Sequence, residues 1–83
     1  MNTSKESIFE ELKKIMHELF EIEPSEIHLT SSLYQELDID SIDAVDLIAN
    51  LQTITGRKFN PDEFKSVKIV EDVVDIIHTE LTK

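Results

Sequence analysis

The sequence contains no cysteine. A disulfide framework, a thiolate zinc site and a cysteine nucleophile are therefore excluded, and the composition fits a reducing compartment. The single glycine leaves no Gly-x-Ser-x-Gly elbow of the kind that exposes a hydrolase serine. No apolar run approaches the ~20 residues of a membrane-spanning helix. The opening segment MNTSKESIFEELKKI mixes charges with apolar residues at helical spacing, so it reads as the start of a fold rather than a targeting peptide. These features predict a soluble, cytoplasmic protein.

Basic residues are also scarce. Eight Lys and Arg stand against 18 Asp and Glu, a formal net charge of -10, and none of the basic residues falls between Ile15 and Gly56. That balance argues against nucleic acid and anionic membrane surfaces as partners and favours proteins with Lys and Arg patches. It also favours a monomer. What the 83 residues do contain is 40% hydrophobic content, enough for one compact core and too much for the disordered class. A chain of this size buries only roughly 60 to 65% of its unfolded surface, so a single domain spanning 1–83 with a thin core and no large cavity is expected.

Thr3 followed by Glu6 has the spacing of a capping box, and Ile8, Leu12, Ile15, Met16 and Leu19 then recur at three- and four-residue intervals. A first helix is predicted to about Phe20. Pro24 ends that pattern, and Glu21 to Asp40 shows neither helical nor strand spacing. Such a long connection is uncommon unless it is pinned. Ile27, Leu29, Leu33, Tyr34, Leu37 and Ile39 supply candidate pins, and Pro24-Ser25-Glu26 can form one short turn.

Asp40 is a favourable N-cap with Asp43 at the third helical position, and Gly56 suits a helix C-terminus, so a second helix is predicted from Ser41 to about Thr55. Steps of 100° gather Ala44, Leu47, Ile48, Leu51 and Ile54 on its core face and Asp43, Asp46 and Asn50 on the opposite one. Ile42, Val45 and Ala49 form an apolar strip between the two, part of it exposed. Asn60 and Pro61 start a short third helix with Phe64 and Val67 buried. Val73, Val74, Ile77 and Leu81 mark a last helix from about Val70, which Ser66 could cap and Ile69 cannot. The predicted fold is all-α: a small bundle of three main helices and one short helix, with a long loop between the first two.

Asp38, Asp40, Asp43 and Asp46 crowd the start of the second helix beside Ile42 and Val45, which pairs long-range attraction with short-range apolar contact. Ser41 opens that helix. On its own, a serine there is an ordinary first-turn residue. The whole run Leu37-Asp38-Ile39-Asp40-Ser41-Ile42-Asp43-Ala44-Val45-Asp46-Leu47, between a long loop and an amphipathic helix, resembles the attachment region of acyl carrier proteins. The likeness covers nearly the whole chain and includes Val70-Glu71-Asp72-Val73-Val74-Asp75 in the closing helix. In that family the serine of an Asp-Ser-Leu triplet carries 4′-phosphopantetheine; here the residues are Asp40, Ser41 and Ile42.

The resemblance implies that Ser41 is the attachment residue, with Asp40 as the cap beside it. A phosphopantetheinyl transferase would supply Mg²⁺ and catalysis, drawing the arm from coenzyme A. Acyl intermediates would travel as thioesters between a ketosynthase, ketoreductase, dehydratase or acyltransferase with basic patches that grip Asp38, Asp40, Ile42, Asp43, Val45 and Asp46. A phosphodiester on Ser41 would suit the positive end of a helix dipole. Cargo lodged between the helices would use Leu47, Ile48, Leu51, Phe64 and Ile77, which are also core positions. Two departures stand out: Asp38 where many members have glycine, and Gln52-Thr53 where many have an acidic pair. They leave a specialised polyketide or aryl polyene pathway as open as fatty acid synthesis.

Other readings are weaker. A calcium loop counted from Asp38 meets Ile42 at its fifth position, Asp43 where glycine is needed and Ala49 where glutamate is needed. His17, His28 and His78 are too scattered for a ligand motif, so no metal site is expected. Hydrolysis by Ser41 lacks a nearby histidine, and the chain is not expected to be an enzyme. The remaining alternative is a small acidic helical interaction module with no prosthetic group, in which Ser41 merely opens a helix.

Overall fold

The computed structural model describes residues 4–82. Four helices follow one another: α1 (Lys5–Phe20), α2 (Ser41–Thr55), α3 (Pro61–Phe64) and α4 (Val70–Leu81), with a 3-10 turn at Pro24–Glu26 in the long loop after α1. This is the expected all-α bundle of three main helices and one short one. The expected Thr3 cap lies outside the described residues. The observed N-cap of α1 is Ser4, whose side chain accepts a hydrogen bond from the Ser7 N–H.

The core is a single cluster. Ile8, Leu12, Ile15 and Met16 of α1 meet Leu47, Ile48 and Leu51 of α2 and Val70, Val73, Val74 and Ile77 of α4. Helix α1 packs chiefly on α4 and less extensively on α2, while α3 leans on α2. The smallest extent of the molecule is 20 Å, about two helix diameters. The interior is therefore one layer of side chains. An exposed ion pair at 2.8 Å between Lys5 and Asp75 also links α1 to α4, and the Asp75 carboxylate, by hydrogen bond and by charge, holds the Lys5 ammonium above its ordinary range.

Two residues expected in the core stripes are on the surface. Leu19 is 37% exposed and Ile54 49% exposed. Both lie on the correct helical face but in the last turns of α1 and α2, where the stripe overhangs the core. Phe59, not singled out from the sequence, is buried and meets Phe64 edge to face at 6.2 Å. No periodic pattern announces it, because it lies between helices. Its N–H donates to the Gln52 side chain, which folds the α2–α3 connection back onto α2.

The long loop is pinned, though by fewer side chains than expected. Ile27, Leu33, Leu37 and Ile39 are buried, whereas Leu29 and Tyr34 are exposed. Backbone bonds do the rest. The Leu33 N–H donates to Lys68 O, and the Val70 and Glu71 N–H groups donate to Ser31 O and Leu29 O. Ser32 and Ile69 form an isolated antiparallel bridge. Buried Ser31 closes the loop internally by accepting from the His28 N–H at 2.9 Å.

This stitching explains the start of α4. Ser66 does not cap it; its hydroxyl donates to Glu63 O instead. Ile69 occupies the N-cap position despite having no polar side chain. The donors there are satisfied from elsewhere: loop carbonyls take the Val70 and Glu71 N–H groups, and the Asp72 carboxylate accepts from Lys68 and Ile69 N–H.

Candidate functional site

Where the long loop meets α2, Asp38 adopts a left-handed conformation with φ 54°. Aspartate is among the few non-glycine residues that tolerate this region. The turn into the serine therefore keeps a glycine-like geometry with an aspartate in place. Ile39 then plugs into the core, which fixes the loop one residue before the cap.

Asp40 caps α2 in extended conformation. Its Oδ1 accepts from the Ile42 N–H at 3.0 Å and the Asp43 N–H at 2.9 Å. Asp43 reaches back, its Oδ2 accepting from the Asp40 N–H at 3.4 Å, so the two carboxylates form a reciprocal capping box. Asp43 is accordingly half-buried rather than fully on the exposed ridge where the helical wheel puts it. Asp38 and Asp46 are exposed.

Ser41 is the first residue of α2 and is exposed. Among the described residues its hydroxyl makes no hydrogen bond. That sets it apart from Ser4, Ser7, Ser31, Ser32 and Ser66, whose hydroxyls are all engaged. Ser25, in the 3-10 turn, is the other exposed serine with an uncommitted hydroxyl. Only Ser41 combines that freedom with the head of a long helix.

The electrostatics at this point differ from the sequence expectation in one respect. The second and third N–H groups of α2 are already taken by Asp40, so a phosphodiester on Ser41 would gain from the helix dipole without receiving those two donors. An exposed oxygen on a first turn still accommodates the group, since nothing must be displaced to reach it.

Two apolar residues follow within one turn. Ile42 is 72% exposed and Val45 62% exposed, the highest values for large hydrophobic residues among those described. With Ala49, also exposed, they run as a strip down α2. Asp38, Asp40, Asp43 and Asp46 surround its upper end, and none has a cation within 4.0 Å among the described residues. On the other side of the cap, Asp38, Ile39 and Asp43 share an open groove with Leu19, Phe20 and Glu21 at the end of α1. Leu47, Ile48, Leu51, Phe64 and Ile77 are all buried core residues. Among the described residues no three His, Asp or Glu side chains gather closely enough to hold a metal ion, and no helix is long and apolar enough to cross a membrane.

Comparison with known proteins gives a consistent picture. A family model described as "phosphopantetheine attachment site" matches residues 10–77, a span that includes all of α2 and the loop before it. Acyl carrier protein 2 of Ralstonia nicotianae is 46% identical over 72 residues, which cover 87% of this chain and 89% of that protein. The acyl carrier protein of Coprothermobacter proteolyticus is 39% identical over 77 residues, covering 93% of this chain and 94% of the relative. That of Myxococcus xanthus is 35% identical over 74 residues, covering 89% and 94%. These names are of carriers and not of catalysts. With a family match over most of its length and near full-length relatives of this identity, the chain belongs to the phosphopantetheine attachment family.

Proposed function

We propose that this chain is an acyl carrier protein rather than an enzyme, that Ser41 is its attachment residue for 4′-phosphopantetheine, and that it hands thioester-bound acyl groups between enzymes of fatty acid or polyketide type synthesis. The observation that carries the assignment is the exposed, uncommitted Ser41 hydroxyl directly after the Asp40 cap. The arm supplies a terminal thiol, which a chain with no cysteine does not otherwise have.

In this reading the chain's own residues position and present. Asp40 and Asp43 hold the first turn of α2 in register, with Ser41 exposed at its head. Asp38 turns the loop into that cap. Ile42 and Val45 offer apolar contact beside the attachment point, and Asp38, Asp40, Asp43 and Asp46 attract enzymes with Lys and Arg patches, among them the phosphopantetheinyl transferase that loads the arm. The Ser41 hydroxyl needs no base from this chain, because the transferase brings the catalytic groups.

Incubation with coenzyme A, Mg²⁺ and a promiscuous phosphopantetheinyl transferase, read by intact mass, tests the proposal. One added arm is expected on the wild-type chain and on Ser25→Ala, and none on Ser41→Ala. A wild-type chain left unmodified while a control carrier is converted would favour the acidic interaction module instead.

A further inference from the structure

The acidity of α2 stops abruptly. Asp46 is the last carboxylate for more than two turns: from Leu47 through Asn60 there is no Asp or Glu, and the first charges met are those of Arg57 and Lys58. Helix α2 spans 15 residues, about 22 Å at 1.5 Å per residue. Its two ends therefore carry opposite charge, with four carboxylates at the Ser41 end and two cations beyond Gly56.

The basic end is held in place. Gly56 closes α2 with φ 69°, the Arg57 N–H donates to the Thr55 hydroxyl, and the Phe59 N–H donates to Gln52 while the Phe59 ring is buried. Arg57 and Lys58 lie between these anchors and are exposed. Like the exposed Lys68, neither has a carboxylate within 4.0 Å among the described residues, whereas Lys5, Lys13, Lys14 and Lys65 each pair at 2.8 to 3.7 Å. Cations near a helix C-terminus are favoured by the dipole. That effect explains why the pair is tolerated but does not give it a charged partner.

Between the two ends run the exposed Ile42, Val45 and Ala49. A strip of apolar contact flanked by unpaired charges of opposite sign reads a partner's orientation as well as its charge, because a reversed approach would set like charges together at both ends. We propose that the enzymes acting on the tethered cargo dock along α2 in one polarity, with basic residues against Asp40, Asp43 and Asp46 and acidic residues against Arg57 and Lys58. This rests on the carrier reading above, and it narrows the partner to a protein whose surface is basic beside the entrance for the arm and acidic about one helix length away.

The test uses the full chain, loaded at Ser41 by a transferase from an acyl-coenzyme A, as substrate for a ketosynthase encoded in the same genome. Wild type, Asp46→Lys, Arg57→Glu/Lys58→Glu and the milder Arg57→Gln/Lys58→Gln are compared. Loading is followed by intact mass, and thermal midpoints are measured alongside. We expect the Arg57/Lys58 charge reversal to raise KM about three- to tenfold, the size that two exposed ion pairs can supply. The neutral pair should give a smaller rise, kcat should stay level, and the salt dependence of kcat/KM should change. An unchanged KM in both Arg57/Lys58 variants, with Asp46→Lys impaired, overturns the polarity while leaving the carrier function intact. A wild-type chain that cannot be loaded at Ser41 overturns the carrier reading itself, whatever the Arg57/Lys58 variants show.

Discussion

At the scale of single residues, the site depends on two aspartates with different tasks. Asp40 uses one carboxylate oxygen to satisfy two N–H groups, and Asp38 bends the chain toward it with φ 54°. Holding an L-residue in the left-handed region costs about 1–2 kcal/mol, less for aspartate. Asp38→Gly is thus expected to leave stability unchanged or raise it by up to about 1 kcal/mol, its greater freedom when unfolded offsetting part of the gain. Asp38→Val should lower stability by about 1–2 kcal/mol. Urea unfolding monitored by circular dichroism checks both, and equal stability of the two variants would contradict the strained turn. The cap and the exposed Ile42 and Val45 were readable from residue type and spacing, whereas Ser41 stood out only through the family resemblance of the run around it. Asp43 was only half readable: a helical wheel shows its direction but not that its carboxylate folds back onto the Asp40 N–H.

At the scale of elements, periodicity located α1, α2 and α4 because each buries one face, and it failed where burial has another cause. Leu19 and Ile54 keep the right phase yet overhang the core, and Leu29 and Tyr34 sit in a loop with no phase at all. Helix α4 starts at Val70 as expected, but Ser66 does not cap it because its caps are tertiary. Loop carbonyls from Leu29 and Ser31 take the first helical N–H groups, and the Asp72 carboxylate takes those of Lys68 and Ile69 just before them. Asp72→Ala removes the acceptor for two N–H groups and should cost about 0.5–2 kcal/mol. In a domain this small a loss of 1 kcal/mol lowers the thermal midpoint by about 4–8 °C. Ser66→Ala should shift the midpoint far less. A larger effect from Ser66→Ala than from Asp72→Ala would place the cap where the sequence suggested and against the observed hydrogen bonds.

At the scale of the whole molecule, a net charge of -10 on 83 residues sets two behaviours. The folded chain repels itself, so raising NaCl from 0.01 M to 0.15 M, which shortens the screening length from ~30 Å to ~8 Å, should raise the thermal midpoint. A midpoint that falls with added salt would mean that ion pairs such as Lys5–Asp75 outweigh the repulsion. In the proposed docking, the same charge gathers basic partners and its uneven distribution along α2 gives them a direction. The fold class was legible from the sequence, since a thin bundle has few ways to bury these stripes. The pinning of the long loop was not, because it relies on backbone bonds between distant segments.

One hydroxyl, at the head of α2, bears the arm in the proposed function. Peptide mapping by tandem mass spectrometry after transferase treatment tests it most directly. A single phosphopantetheinylated peptide is expected, with the group located on Ser41 and the Ser25 peptide unmodified. Modification at Ser25, at another serine, or nowhere would contradict it.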